Sequence, residues 1–127
     1  MTSYVLKPVR SAAILTGSYV AGTVLGIDEL RPELNSEMVV LVKFTKGSLD
    51  SASVKIEFSP DNSTYYQETA SSISGTTSTL SLLEHTMSAT GNYRIPVPIK
   101  DSYIKISALG TGTATNSTMT IDAIVGV

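Results

Sequence analysis

The chain reads as all-β: a single antiparallel β-sandwich, jelly-roll-like, of about eight or nine strands. Three observations lead there. Ser and Thr fill 34 of the 127 positions while charged residues make up only 16%, a balance that suits pleated surfaces better than solvated helix faces. Apolar residues recur with period two in short runs rather than with helical spacing. Turn chemistry punctuates those runs, as in Thr16-Gly17-Ser18 and Pro60-Asp61-Asn62, at the spacing of a sandwich or barrel.

A length of 127 residues matches one core and no second one. The expected division is an extended N-terminal arm, residues 1–10, followed by one sandwich domain, residues 11–127. Segments 11–16 and 19–25 read as two strands joined by the Thr-Gly-Ser turn. The stretch 11–27 superficially resembles a signal peptide after Lys7 and Arg10, but Thr16 to Tyr19 interrupt its apolar run and the two-strand reading is preferred. No stretch reaches the ~18 uninterrupted apolar residues of a membrane span. The loop 26–37, with Pro32 and several carboxylates, has room for a short helical turn.

MVVLVKFT, residues 38–45, puts Met38, Val40, Val42 and Phe44 on one face and Val39 and Leu41 on the other. Two apolar faces mark a central strand, or one whose back is covered by an arm or another subunit. SVKIEFS, residues 53–59, alternates cleanly, with Val54, Ile56 and Phe58 inward and Lys55 and Glu57 outward. At Pro60-Asp61-Asn62 the proline presets φ and the asparagine tolerates a left-handed backbone. A strand carrying Tyr65, Tyr66 and Gln67 follows. SSISGTTS reads as a polar loop. Leu80 and Leu82 mark a short strand, although SLLEHTM also fits one helical turn.

YRIPVPIK, residues 93–100, alternates like a strand yet holds two prolines. Tyr93, Ile95, Val97 and Ile99 take one face, and Pro96 and Pro98 share the other with Arg94 and Lys100. Backbone N–H groups two residues apart point to the same lateral side, so the prolines remove donors on one side only. An edge strand results, paired on one side and blunted on the other; the competing reading is an unpaired crossover. Ile104, Ile106 and Ala108 share a face in the next strand. The GTGTATNS segment reads as a hairpin loop, and Met119, Ile121, Ala123, Val125 and Val127 share a face in the last strand.

Chemistry is sparse. With 9 basic and 11 acidic residues, the net charge is −2 and the pI near 5.2. The basic residues are scattered, which argues against nucleic acid as a partner. No cysteine is present, so disulfides and thiolate metal sites are excluded. His85 is the single histidine, beside Glu84, with no G-x-S-x-G elbow among the serines. No HExxH or EF-hand spacing occurs, and no metal or cofactor is expected. Glu57 and Glu68 fall on neighbouring strands but are expected to be solvated. The chain is therefore read as a non-enzyme. Asn62-Ser63-Thr64 and Asn116-Ser117-Thr118 match the glycosylation sequon, a match that abundant Ser and Thr produce by chance.

Binding is the better-supported class. SPDNSTYYQ resembles the strand-turn-strand of discoidin-like and lectin-like jelly rolls, with Tyr65 and Tyr66 as ligand-facing aromatics where tryptophan is common and Asn62 in place of the usual glycine. Taken together, LVKFTKGSLDSASVKIEFSPDNSTYYQETASSIS and GNYRIPVPIKDSYIKISALGTGTATNSTMTIDAIV resemble small virion structural proteins of tailed bacteriophages. That resemblance implies a capsid decoration (cement) protein, or else a neck or tail component, located in the virion after assembly in a host cytoplasm. Its implied partners are the major capsid protein or other virion subunits, with homo-oligomers expected and neither nucleic acid nor membrane involved. Contacts are expected from apolar surface beyond the needs of the core: Tyr4, Val5, Leu6 and Val9 of the arm, and Val39 and Leu41 behind the central strand. The arm either orders against a neighbour or pairs with its own sheet.

Overall fold

A computed structural model describes residues 4–113 and 116–126. Its strands are β1 (Tyr4–Ala13), β2 (Val20–Ala21), β3 (Glu37–Thr45), β4 (Leu49–Ser59), β5 (Tyr66–Gln67), β6 (Thr69–Ser74), β7 (Thr77–Leu82), β8 (His85–Met87), β9 (Gly91–Pro98), β10 (Tyr103–Gly112) and β11 (Thr118–Gly126), with one short helix, α1 (Ile27–Leu30). The all-β sandwich expected from the sequence is what the chain forms.

Sheet A runs β1-β11-β3-β9, and sheet B runs β2-β10-β4-β5 with β8 also on β4. The connections after β1, β2, β3, β9 and β10 each carry the chain from one sheet to the other. Period-two patterning is what makes this work, because each strand offers one apolar row to the shared interior. From sheet A come Met38, Val40, Val42, Phe44, Met119, Ile121, Ala123 and Val125, and from sheet B come Ala52, Val54, Ile56, Ile104, Ile106 and Ala108, all buried in one cluster. Leu15, Leu25 and Leu30 close the ends from the connecting segments.

β3 is central, between β11 and β9, as its two apolar faces require. β9 is the edge strand foreseen from its prolines. Among the described residues it pairs with β3 alone, Pro96 opposite Val39 and Pro98 opposite Glu37, and both prolines are exposed. Asn62 adopts φ 59° in the turn after β4. Asp61 ties that turn, its Oδ1 accepting from the amides of Ser63 and Thr64 at 2.9 and 3.0 Å.

Several expectations are corrected. Of the two readings of the arm, the one that pairs it with its own sheet is what forms: residues 4–13 make one strand antiparallel to β11, with register shifts on either side of Arg10. Segments 11–16 and 19–25 are not two full strands: Ser11 to Ala13 finish β1, while β2 pairs with β10 through Val20 and Ala21, with an isolated bridge at Leu25 and single backbone bonds joining Gly22 to Ile106 and Thr16 to Gly110. Gly22 explains the tight passage, since a Cβ there would lie 2.5 Å from the Val9 carbonyl oxygen. The segment after β10 is a crossover between sheets rather than a hairpin. Val127, assigned to the last strand's inner face, lies outside the described residues.

The largest correction concerns SSISGTTS. Far from being a loop, it is the tip of a regular β6–β7 hairpin, paired without a register shift from Thr69↔Leu82 to Ser74↔Thr77. A two-residue Gly75-Thr76 connection joins the strands, and Gly75 takes φ 62°, the positive value that the first position of a primed hairpin turn requires. Leu80 and Leu82 mark the second strand, but hydroxyl side chains concealed the first because no apolar alternation runs through Thr69–Ser74, whereas Thr and Ser pair well across an antiparallel ladder. Leu80 and Leu82 belong to β7, so the helical alternative for SLLEHTM is not adopted. The hairpin is an excursion from the edge of sheet B. β5 and β8 both lie antiparallel to β4, at Phe58 and Glu57 and at Val54 to Ala52, and the chain leaves that edge at Glu68 and rejoins it at Leu83.

Candidate interaction surface

Register fixes which side chains face outward from sheet A. Across the four strands, Leu6 pairs with Ile124, Ile124 with Val39, and Val39 with Pro96. One apolar row thus crosses the whole sheet. The adjacent row runs Pro8, Asp122, Leu41 and Arg94. An exposed antiparallel face ordinarily carries polar residues at such positions, yet here a row without charge sits beside one whose ions flank Leu41. Tyr4, Glu37, Val39, Arg94, Ile124 and Gly126 line a concavity of about 420 Å³ on this face.

Four of the six residues expected at an interface meet here: Tyr4, Leu6, Val39 and Leu41. Tyr4 is 70% and Leu6 56% exposed; Val39 and Leu41 are half-buried by their neighbours. Val5 and Val9 go the other way. Val5 pairs with the buried Val125, and Val9 belongs to the core, because alternate residues of a strand take opposite faces. Ile124 was not singled out from the sequence. Its signal was an apolar residue in the polar phase of the last strand, after Thr120 and Asp122.

A second apolar surface lies on the hairpin. Cross-strand partners share a face, so the pairs Thr69↔Leu82, Ser71↔Leu80 and Ile73↔Ser78 stand on one side and Ala70↔Ser81, Ser72↔Thr79 and Ser74↔Thr77 on the other. Ile73, Leu80 and Leu82 therefore form a stripe on one face, each at least 66% exposed. Every residue of β6 and β7 is exposed, and no charged residue occurs between Thr69 and Leu82.

The root of the hairpin is polar and tightly tied. Leu83 donates its amide to the Glu68 carbonyl at 2.8 Å, the Gln67 side-chain amide donates to the Leu83 carbonyl at 3.0 Å, and His85 Nε2 lies 3.0 Å from Glu68 Oε1. The histidine's partner is thus Glu68 and not its sequence neighbour Glu84, which accepts a hydrogen bond from the Tyr19 hydroxyl at 2.7 Å. Burial and that carboxylate raise the Tyr19 pKa. Glu57 and Glu68 are not brought together as a carboxylate pair: Glu57 faces outward beside Lys55, with 3.6 Å between charged atoms, whereas Glu68 bonds opposite Ile56 and turns to His85. Among the described residues no group of three or more His, Asp or Glu side chains is placed to hold a metal ion.

The two tyrosines of the lectin-like turn do not form a shelf. Lys105 stacks over the Tyr65 ring at 4.2 Å, and the Tyr65 hydroxyl donates to Asn62. Tyr66 pairs with Phe58 of β4 and is exposed. The Gln67 side-chain amide donates to the Leu83 carbonyl.

No protein-family model matches the chain, and no curated protein matches it.

Proposed function

We propose that this chain is a structural protein of a bacteriophage virion, a capsid decoration (cement) protein that binds the head shell through the outer face of sheet A. A neck or tail component is the second assignment within the same class. The observation that carries the reading is the row Leu6, Ile124, Val39 and Pro96, an apolar stripe four strands wide on an exposed sheet face. The strand order of the two sheets supports describing the sandwich as a jelly roll, with the hairpin inserted in its last sheet-B edge.

Magnitudes favour a repeated, multivalent role. Burying the four apolar side chains of the row yields at most about 6–12 kcal/mol, at ~1.5–3 kcal/mol each, and association costs roughly 4–15 kcal/mol. One such contact is weak. A symmetric shell presents the same site many times, and linked weak contacts gain by avidity. The lectin-like alternative is weakened because Lys105 lies over the Tyr65 ring and the Tyr65 hydroxyl is bonded to Asn62.

Quantitative mass spectrometry of purified particles tests the assignment. Hundreds of copies per particle support a shell coat, six or twelve copies support a ring at the neck or tail, and absence from every particle fraction overturns the virion reading.

A further inference from the structure

We infer that the recess at Gly126 on the outer face of sheet A seats one large apolar side chain of the shell subunit, and that the same partner surface carries a carboxylate for Arg94 and a basic group for Glu37. The inference rests on reading that face as the site of shell binding, and it gives the chemistry of the partner.

Sheet register builds the recess. Tyr4 lies opposite Gly126, and the pairing of Ile124 with Val39, continued by two residues, brings Glu37 into line on the other side. Residues two apart on a strand share a face, so the row next to the apolar one reads Tyr4, Gly126, Glu37 and Pro98. Gly126 contributes no side chain to it. The gap is the concavity of about 420 Å³, with Tyr4 and Glu37 on either side and Val39, Ile124 and Arg94 along its border. A hollow in a sheet face beside an exposed tyrosine suits the kind of anchor that dominates interfaces, a large apolar side chain filling a pocket.

The ions determine what must surround that anchor. Glu37 and Arg94 are both exposed, and among the described residues neither side chain makes an ion pair or a hydrogen bond. They stand on opposite sides of the apolar row, Glu37 two residues before Val39 on β3 and Arg94 opposite Leu41, about 14 Å apart between Cα atoms by sheet spacing. Leu41 separates Arg94 from Asp122, two strands away. A surface that covers the row and the recess takes both Glu37 and Arg94 out of water. An ion buried without a counter-charge is strongly destabilising. Because the chain supplies none here, the occupant has to bring an acid to the guanidinium and a base to the carboxylate.

The same placement fixes orientation. With the acid on the recess side of the apolar row and the guanidinium on the other, a partner turned end for end meets like charges at both places. A guanidinium also binds a carboxylate through two parallel bonds, a geometry that lysine does not reproduce. Arg94 is therefore the specificity-determining residue of the contact, and the apolar row supplies its area.

Occupancy on particles stripped of this protein, titrated alongside sedimentation of the free protein, tests this. Arg94→Glu is expected to raise half-saturation at least about tenfold, with Arg94→Lys falling between it and wild type. Half-saturation of the wild type should rise with ionic strength from about 0.05 to 0.5 M, and that of Arg94→Gln should rise less. Gly126→Leu, within β11, fills the recess and is expected to weaken binding at least about tenfold; if it does not fold, Tyr4→Ala, which removes one wall, takes its place and should weaken binding too. Wild type that coats particles while Arg94→Glu and the recess variant coat them equally well refutes this partner chemistry and leaves the proposed function standing. Wild type that binds no particle refutes both. Free wild type that dimerises while Arg94→Glu stays monomeric makes a second copy the occupant and overturns the inference.

Discussion

His85 Nε2 and Glu68 Oε1 meet at 3.0 Å across the root of the β6–β7 hairpin, where the chain leaves and rejoins the edge of sheet B. Around them the backbone bond from Leu83 to Glu68 and the Gln67 side chain close the same gap. The hairpin is held at its base and nowhere along its length, so its opening is separable from unfolding of the sandwich. In native-state hydrogen exchange the amides of 69–82 should exchange together, ahead of β3, β4, β10 and β11. A double-mutant cycle on Glu68→Ala and His85→Ala should give a coupling of about 0.5–1 kcal/mol, the range for a partly solvated pair, read in hairpin exchange with little effect on the body.

Two isoleucines of the same size should behave oppositely. Ile121 is fully buried between the sheets while Ile73 is 76% exposed. Ile121→Ala should cost about 2–5 kcal/mol, transfer and cavity terms together, and Ile73→Ala about 0.5 kcal/mol or less. Urea denaturation of the monomer measures both.

The prolines of β9 should be replaceable without loss of fold and at the expense of solubility. Pro96→Val and Pro98→Thr restore N–H donors on the free side of an edge strand. Equilibrium stability should stay within about 1 kcal/mol of wild type, while light scattering at high concentration should rise. An unchanged solubility limit would show that the prolines do not protect this edge.

Asp61 makes the turn after β4 sensitive to acid. Amide donation from Thr64 and Ser63, with the Ser59 hydroxyl, holds its carboxyl below the ordinary 3.8, because these bonds favour the ionised form. A depressed pKa contributes stability above the unfolded value that is lost as pH falls through the folded one. Wild type should therefore be more stable than Asp61→Ala at pH 6, with the difference shrinking below pH 4. Guanidinium titrations of both proteins at stepped pH give the comparison.

Much of the sandwich was legible because burial imposes period two. Met38 to Phe44, Val54 to Ile56 and Met119 to Val125 announce their inner faces directly, and the prolines of β9 announce an edge. Half of the hairpin was legible: Leu80 and Leu82 marked its second strand, while the first, β6, was hidden because Ser and Thr pair across strands without leaving an apolar alternation. Residues 14–25 misled for the opposite reason: their apolar side chains suggested strands, but Leu15 and Leu25 fill the ends of the core from connecting segments. Within the interaction surface, Val39 and Leu41 stood out as a second apolar face. Strand order, which no local pattern encodes, places Leu6 and Ile124 in line with Val39, whereas alternation along β1 turns Val5 and Val9 to the other face.

The most direct test is binding of the Leu6→Glu, Leu41→Glu variant to particles stripped of this protein, measured as occupancy against added concentration beside wild type. If the outer face of sheet A is the assembly surface, half-saturation should move at least tenfold higher while the melting temperature stays within a few degrees. Saturation at the wild-type concentration by a folded variant would contradict it.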